Sequence, residues 1–260
     1  MPWLCPPFLV LPGAVNMALD ARLLRRTLEG AGPHLRFYLW TRPTLSLGRS
    51  QEAETVVDFP FCSAHGIAVV RRPTGGRAVL HHMELTYGVT GLFGREGFPR
   101  GVQETYKAIC EALRDGLASL GVGVRLHAAA GGPLPSPRNP LPCFATPAPG
   151  EIVLDGRKMI GSAMAVEGPG FLQHGSILIG TEEALQRGAQ REKAFFPVAG
   201  LSDALRPLPS WDAIVHALEG GFARRFDTGM LEPVDLTEAE WNGVREEAER
   251  FRIRSPEPPR

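Results

Sequence analysis

Val69-Val70-Arg71-Arg72-Pro73-Thr74-Gly75-Gly76-Arg77-Ala78-Val79-Leu80-His81-His82-Met83-Glu84-Leu85-Thr86-Tyr87 is the stretch around which the chain is organised. It opens as an apolar strand, Ile67 to Val70, and closes as a second one, Glu84 to Thr90. Arg71 and Arg72 are adjacent, so on a strand they point to opposite faces. Pro73-Thr74-Gly75-Gly76 reads as a turn whose paired glycines permit positive φ and close approach of the backbone to another group. Taken alone, the segment fits a Gly-rich hairpin with solvated arginines equally well. A second glycine-containing segment, built around a lysine downstream, turns the reading towards a site.

The chain has 260 residues, enough to bury a full core as one ordinary domain. Its formal net charge is zero, which argues against a nucleic-acid binder that works by neutralising phosphates. Only three of its 28 basic residues are lysines, Lys107, Lys158 and Lys193. Against that arginine background, a lysine in a Gly-rich motif points to a task arginine cannot perform, such as losing a proton or presenting a compact charge. Cys5, Cys62, Cys110 and Cys143 are far apart and form no Cys-x-x-Cys pair, so neither a zinc site nor a disulfide framework is indicated. No charged-then-apolar leader and no apolar run near 18 residues is visible. The expectation is a cytoplasmic protein with reduced thiols and no membrane partner.

Outward from the organising stretch, Val15 to Leu28 reads as a helix with Val15, Leu19, Leu23 and Leu24 as its apolar stripe and Arg22, Arg25 and Arg26 in water. Leu35–Thr41 and Thr44–Arg49 read as strands about an Arg42-Pro43 turn. Asp58 is placed to cap a short helix running to His65. Val102 to Leu120 shows the clearest helical spacing and puts Cys110 in the core. Residues 128–150 are dense in glycine and proline, and a stretch of that length without structure of its own is usually functional or disordered; Cys143-Phe144 sits within it. Glu151–Leu154 and Lys158–Val166 form a hairpin about Asp155-Gly156, and Phe171–Ile179 is a third strand. Residues 197–209 read as loop, and Trp211–Phe226 and Glu238–Phe251 as closing helices. The expected architecture is α+β: a single domain over residues 1–230, with a mixed β-sheet flanked by helices. A C-terminal helix and frayed tail, residues 231–260, pack on it.

Arg71-Arg72-Pro73-Thr74-Gly75-Gly76-Arg77-Ala78-Val79-Leu80-His81, then Lys158-Met159-Ile160-Gly161-Ser162-Ala163, then Leu172-Gln173-His174-Gly175-Ser176 resembles the biotin/lipoate protein ligase and octanoyltransferase superfamily. Asn16-Met17-Ala18 with Asp20 in the first helix fits too. Gly75-Gly76-Arg77 in place of three glycines, and Cys143-Phe144 shortly before the lysine motif, are similar to the lipoate-pathway octanoyltransferases. Two positions depart from the family's pattern: His82 follows His81 where aspartate is usual, and Met164 follows Ala163 where glutamine is usual.

The resemblance implies a biotin/lipoate ligase-like fold, akin to class II aminoacyl-tRNA synthetases. It implies transfer of octanoyl from acyl carrier protein to a lipoyl-type acceptor such as the glycine cleavage H protein, with no cofactor and no metal. Cys143 is then the acyl-carrying nucleophile and Lys158 its partner in the acyl site. Arg71, Arg72, Gly75, Gly76, Arg77, His81, Gly161, Ser162, Ala163 and His174 are the candidate substrate-binding residues. The acceptor lysine must lose a proton before it attacks, and His81 or Lys158 could take it. His82 points to the other face of its strand, and His174 reads as a hydrogen-bonding strand residue. Three rivals stand beside this reading: an ATP-dependent lipoate-protein ligase, an amidotransferase between carrier domains, and a non-catalytic subunit that binds an acyl group or acyl-adenylate.

Overall fold

The computed structural model describes residues 1–127, 150–192 and 198–255. Two short strands, β1 (Leu4–Cys5) and β2 (Leu9–Leu11), lead into helix α1 (Gly13–Leu28), strand β3 (His34–Trp40) and strand β4 (Thr44–Leu47). Helices α2 (Ala53–Val56) and α3 (Phe59–Ala64) are single turns or little more, and the Asp58 carboxylate accepts from the Phe61 N–H at 3.1 Å as the expected cap. The organising stretch supplies β5 (Ala68–Arg71), β6 (Val79–His81) and β7 (Glu84–Leu92). Helix α4 (Val102–Ser119) and β8 (Arg125–Leu126) follow, then β9 (Ile152–Leu154), β10 (Arg157–Glu167) and β11 (Gly170–Leu178). The chain closes with α5 (Glu183–Gly188), α6 (Leu201–Ala204), α7 (Trp211–Phe226), β12 (Glu232–Pro233), α8 (Glu238–Glu247) and a 3₁₀ turn at Ala248–Phe251.

Among the described residues the strands form two sheets. The large mixed one runs β12-β1-β3-β7-β11-β10-β9-β8, with β2 also paired to β3. Its centre is antiparallel, with Glu84 opposite Leu178 and His174 opposite Gly88. The hairpin β9–β10 turns at Asp155 (φ 49°) and Gly156 (φ 76°), two consecutive left-handed residues as a two-residue hairpin with right-twisted strands requires.

The small sheet, β5-β4-β6, departs from the sequence reading, which holds one mixed sheet. Val79–His81 is too short to stand out as a strand, yet Thr44 pairs with His81 and Ser46 with Val79. Two further differences are local. Leu201–Ala204 is helical within the expected loop, its Asp203 carboxylate accepting from the Gly200 N–H. Arg22 and Arg25 are not simply in water: Arg22 pairs with Glu240 at 3.2 Å and Arg25 with Glu247, both on α8, which packs along α1.

One face of the large sheet is apolar. Leu35 and Phe37 of β3, Leu85, Tyr87 and Val89 of β7, and Phe171 and Ile177 of β11 meet Ile109, Leu113 and Leu117 of α4 and Leu218 and Phe222 of α7. Cys110 lies in this core as expected, and burial pushes its thiol up to about 12. The opposite face meets α1 and the small sheet, and it is polar.

Candidate active site

Strand alternation creates that polar layer. In β7 the residues between Leu85, Tyr87 and Val89 are Glu84, Thr86, Gly88 and Thr90, so both faces are buried but only one is apolar. The same face of β3 carries Arg36 and Tyr38, and that of β11 carries His174 and Ser176. Asp20 of α1 binds three of these groups: Arg36 at 2.7 Å, the Tyr38 hydroxyl at 3.1 Å and His174 Nδ1 at 2.9 Å. Burial alone would raise the Asp20 carboxyl, but Arg36 and His174 outweigh it and hold it below the usual range. His174 in turn sits lower than an ordinary histidine, chiefly through burial, and its Nε2 meets Thr74 Oγ1 of the Gly-rich loop at 2.6 Å. Helix, sheet and loop are therefore tied together through one imidazole.

Where α1 and the small sheet part, they leave a slot with a cavity volume of about 40 Å³. It is narrow and mostly apolar. Met17, Tyr38, Trp40, Val79, Gly161, Ala163 and Gly175 are among the residues that line it. Gly175 stands where a methyl group would meet the Gly161 carbonyl oxygen at 2.5 Å, so these two strands leave no room for a side chain there.

Lys158 reaches the slot from β10, with its ammonium 2.7 Å from the Glu151 carboxylate and both side chains buried. The pairing of β10 with β9 shifts between Lys158 and Ile160. That irregularity lets Met159 and Ile160 both enter the core while Lys158 faces the cavity. Ser162 hydrogen-bonds the Tyr87 hydroxyl at 2.7 Å, which also accepts from the Gln173 amide at 2.9 Å.

The Gly-rich loop is braced by its own arginines. Arg72 donates to the carbonyl oxygens of Gly75 and Arg77 at 2.7 and 2.6 Å and to Ser46 Oγ at 3.1 Å. Arg71, on the other face, donates to the carbonyls of Gly48, Arg49 and Gln51. The loop's close approach is to Gly48: a Cβ there would lie 1.9 Å from the Gly76 oxygen. Gly75 has open space above it.

Of the residues expected from the sequence, Lys158, Arg72, His81, Gly161, Ser162, Ala163 and His174 line the slot together. Arg71, Gly75, Gly76 and Arg77 belong to the loop beside it. Cys143 lies outside the described residues. His82 faces away from the slot and pairs with Glu182 at 3.2 Å. Sequence reasoning misses Glu151, Ser46 and Glu84. The last was visible in principle, as a charged residue opening a strand otherwise fit for burial. Among the described residues, no group of three or more His, Cys, Asp or Glu side chains could hold a metal ion, and no helix is long and apolar enough to cross a membrane.

Known proteins are similar to this chain in sequence and in fold. A protein named Octanoyltransferase LipM from Geobacillus kaustophilus is 36% identical, over 97% of this chain and 94% of its own. One of the same name from Symbiobacterium thermophilum is 39% identical over 88% of each. Among solved structures, a putative lipoate protein ligase from T. acidophilum with bound lipoic acid superposes with a TM-score of 0.77 at 25% identity, covering 96% of this chain and 95% of that one. A lipoate-protein ligase A bound with ATP shares the fold at a TM-score of 0.76 and 23% identity. The family model for the lipoyl protein ligase A/B catalytic domain matches residues 12–223, bearing out the resemblance carried by the three motifs. The chain belongs to the lipoyl protein ligase A/B catalytic domain family.

Proposed function

We propose that the protein is an octanoyltransferase of lipoate biosynthesis. It takes octanoyl from acyl carrier protein onto Cys143 as a thioester, and passes it to a lysine of a lipoyl-type carrier such as the glycine cleavage H protein. Relatives named octanoyltransferases span nearly the whole chain. The observation that carries the chemistry is the narrow apolar slot with the buried Lys158 on its wall. An eight-carbon tail buried there is worth about 5–6 kcal/mol at about 0.8 kcal/mol per CH₂. That holds the chain during exchange without trapping it.

In the first half-reaction the Cys143 thiolate attacks the donor thioester carbon, the donor C–S bond breaks, and the pantetheine thiol leaves with a proton. One thioester replaces another, so no ATP is consumed. A cation near the sulfur favours the thiolate, and an ammonium at the slot can also stabilise the oxygen as charge develops on it. Lys158 takes this part. In the second half-reaction the acceptor amine attacks the enzyme thioester, a C–N bond forms, and the Cys143 sulfur leaves.

Intact-mass measurement after mixing with octanoyl-acyl carrier protein, without ATP, tests the reading. One octanoyl group is expected, removable by hydroxylamine and missing from Cys143→Ala. An unmodified wild type, or a Cys143→Ala protein that still labels, would overturn it.

A further inference from the structure

At one end of the slot a chain of hydrogen bonds runs from the Gly-rich loop into the large sheet. The Arg72 guanidinium, which can only donate, reaches Ser46 Oγ at 3.1 Å. The Ser46 hydroxyl is then free to give its own proton to His81 Nε2, 2.7 Å away. At the far side of the ring, His81 Nδ1 is 2.7 Å from Glu84 Oε1. A carboxylate accepts, so Nδ1 carries the proton and Nε2 offers its lone pair.

Glu84 is held with unusual care. The Trp40 indole N–H, another obligate donor, gives to Thr86 Oγ1 at 2.7 Å, which directs the Thr86 proton onto Glu84 Oε1 at 2.7 Å. Ser176 Oγ gives to the same oxygen at 2.9 Å. The Trp40 ring stacks on His81 with centroids 4.0 Å apart and planes within 14°, fixing the imidazole plane. Glu84 Oε2 is buried and has no hydrogen-bond partner among the described residues. A buried acceptor left unmatched is costly, so packing alone does not account for this side chain.

We infer that Glu84 is a positioning residue for His81, and that Ser46, His81 and Glu84 form the base that deprotonates the acceptor lysine in the second half-reaction. The inference rests on the transfer chemistry proposed above. Ser46 and His81 both line the slot, so an amine entering it meets the Ser46 oxygen. The ammonium gives one proton to Ser46 Oγ as the Ser46 proton passes to His81 Nε2, and Glu84 stabilises the resulting imidazolium. The freed electron pair forms the C–N bond to the thioester carbon, and the C–S bond breaks. The departing sulfur takes the nitrogen's second proton, and His81 releases its own to solvent. Lys158, already engaged with Glu151, is left to the first half-reaction.

The test compares two acceptors after loading with octanoyl-acyl carrier protein: a lipoyl-domain lysine, which must lose a proton, and hydroxylamine, which is neutral at pH 7. Glu84→Gln is expected to load one octanoyl group, discharge to hydroxylamine at the wild-type rate, and discharge to the lysine at least tenfold more slowly. Glu84→Asp should recover part of the loss. Should Glu84→Gln fail to load, Ser46→Ala decides, with the same split expected. Equal slowing with both acceptors, or wild-type transfer to lysine, would overturn the inference. A wild type that never loads counts against the transfer reading; a wild type that loads beside a variant with normal lysine transfer counts against the relay alone.

Discussion

Lys158 Nζ lies 2.7 Å from Glu151 Oε1, with both side chains nearly withdrawn from water. The two flank the β9–β10 hairpin, and the tight turn at Asp155-Gly156 folds one back onto the other. A buried charge pair is weak support for stability, because desolvation consumes most of the attraction, yet breaking it by removing one partner is expensive. Its value here is positional: the carboxylate fixes where the ammonium sits on the slot wall.

Replacing Lys158 by arginine keeps the charge, adds bulk and removes the compact ammonium. Lys158→Arg is expected to retain the fold by circular dichroism and lose most octanoyl transfer. Near-normal turnover would remove Lys158 from the site. Glu151→Gln should lower stability by about 3 kcal/mol, read as a shifted urea midpoint at constant slope.

Energy source is the measurement that distinguishes the proposed transfer from ATP-dependent ligation, since a lipoate-protein ligase A bound with ATP shares this fold. In the loop beside the slot, Arg77 puts a bulky side chain where the family's pattern has a third glycine. Transfer from octanoyl-acyl carrier protein should proceed without ATP, and free octanoate or lipoate with ATP and magnesium should leave a lipoyl domain unmodified. Robust use of free lipoate in a mass-shift assay would reverse the choice.

Gly48 and Gly76 touch, and Gly76 has φ of 89°. Gly48→Ala drives a methyl group into the Gly76 carbonyl, an overpacking that costs about 1–3 kcal/mol and displaces the loop. Gly75→Ala, which meets nothing within 4 Å, should leave the melting temperature nearly unchanged. Equal losses in the two variants would show that the loop is not seated on Gly48.

His34 is buried against Thr27 and Thr90, and burial with help from Arg26 lowers its pKa from 6.5 to about 4. Between those values the unfolded chain binds a proton that the native state refuses. The contribution is therefore fully present above about pH 6.5 and is lost as pH falls towards 4, by up to about 3 kcal/mol. His174, also lowered, acts in the same direction below pH 6.5. Urea midpoints should fall from pH 7 to pH 4.5, with a shallower fall in His34→Gln. Parallel slopes for the two proteins would assign the acid sensitivity elsewhere.

Helix α4 was legible because apolar residues recur along it at helical spacing. The Asp155-Gly156 turn was legible because few dipeptides tolerate two left-handed residues. The small sheet was not, since β6 is three residues long and its partner β4 is distant in sequence. The site divides in the same way. Lys158, His81 and His174 sit in dense motifs, whereas Glu151, Ser46 and Glu84 are lone polar residues whose meaning lies in what folds against them. Cys143, the residue on which the sequence reading leans most, lies outside the described residues.

Strand β5 is an edge of the small sheet, and it ends in Arg71 and leads directly into Arg72. Its outer side is occupied by the end of the described chain: Val70 bridges to Arg252 antiparallel, and the Ile253 N–H donates to the Val69 carbonyl at 3.0 Å. Residues 252–253 thus act as a plug on an open row of backbone donors and acceptors, the kind of row on which foreign strands add. A chain shortened to Arg250 would bare a template for self-association at the same strand that carries the site's loop.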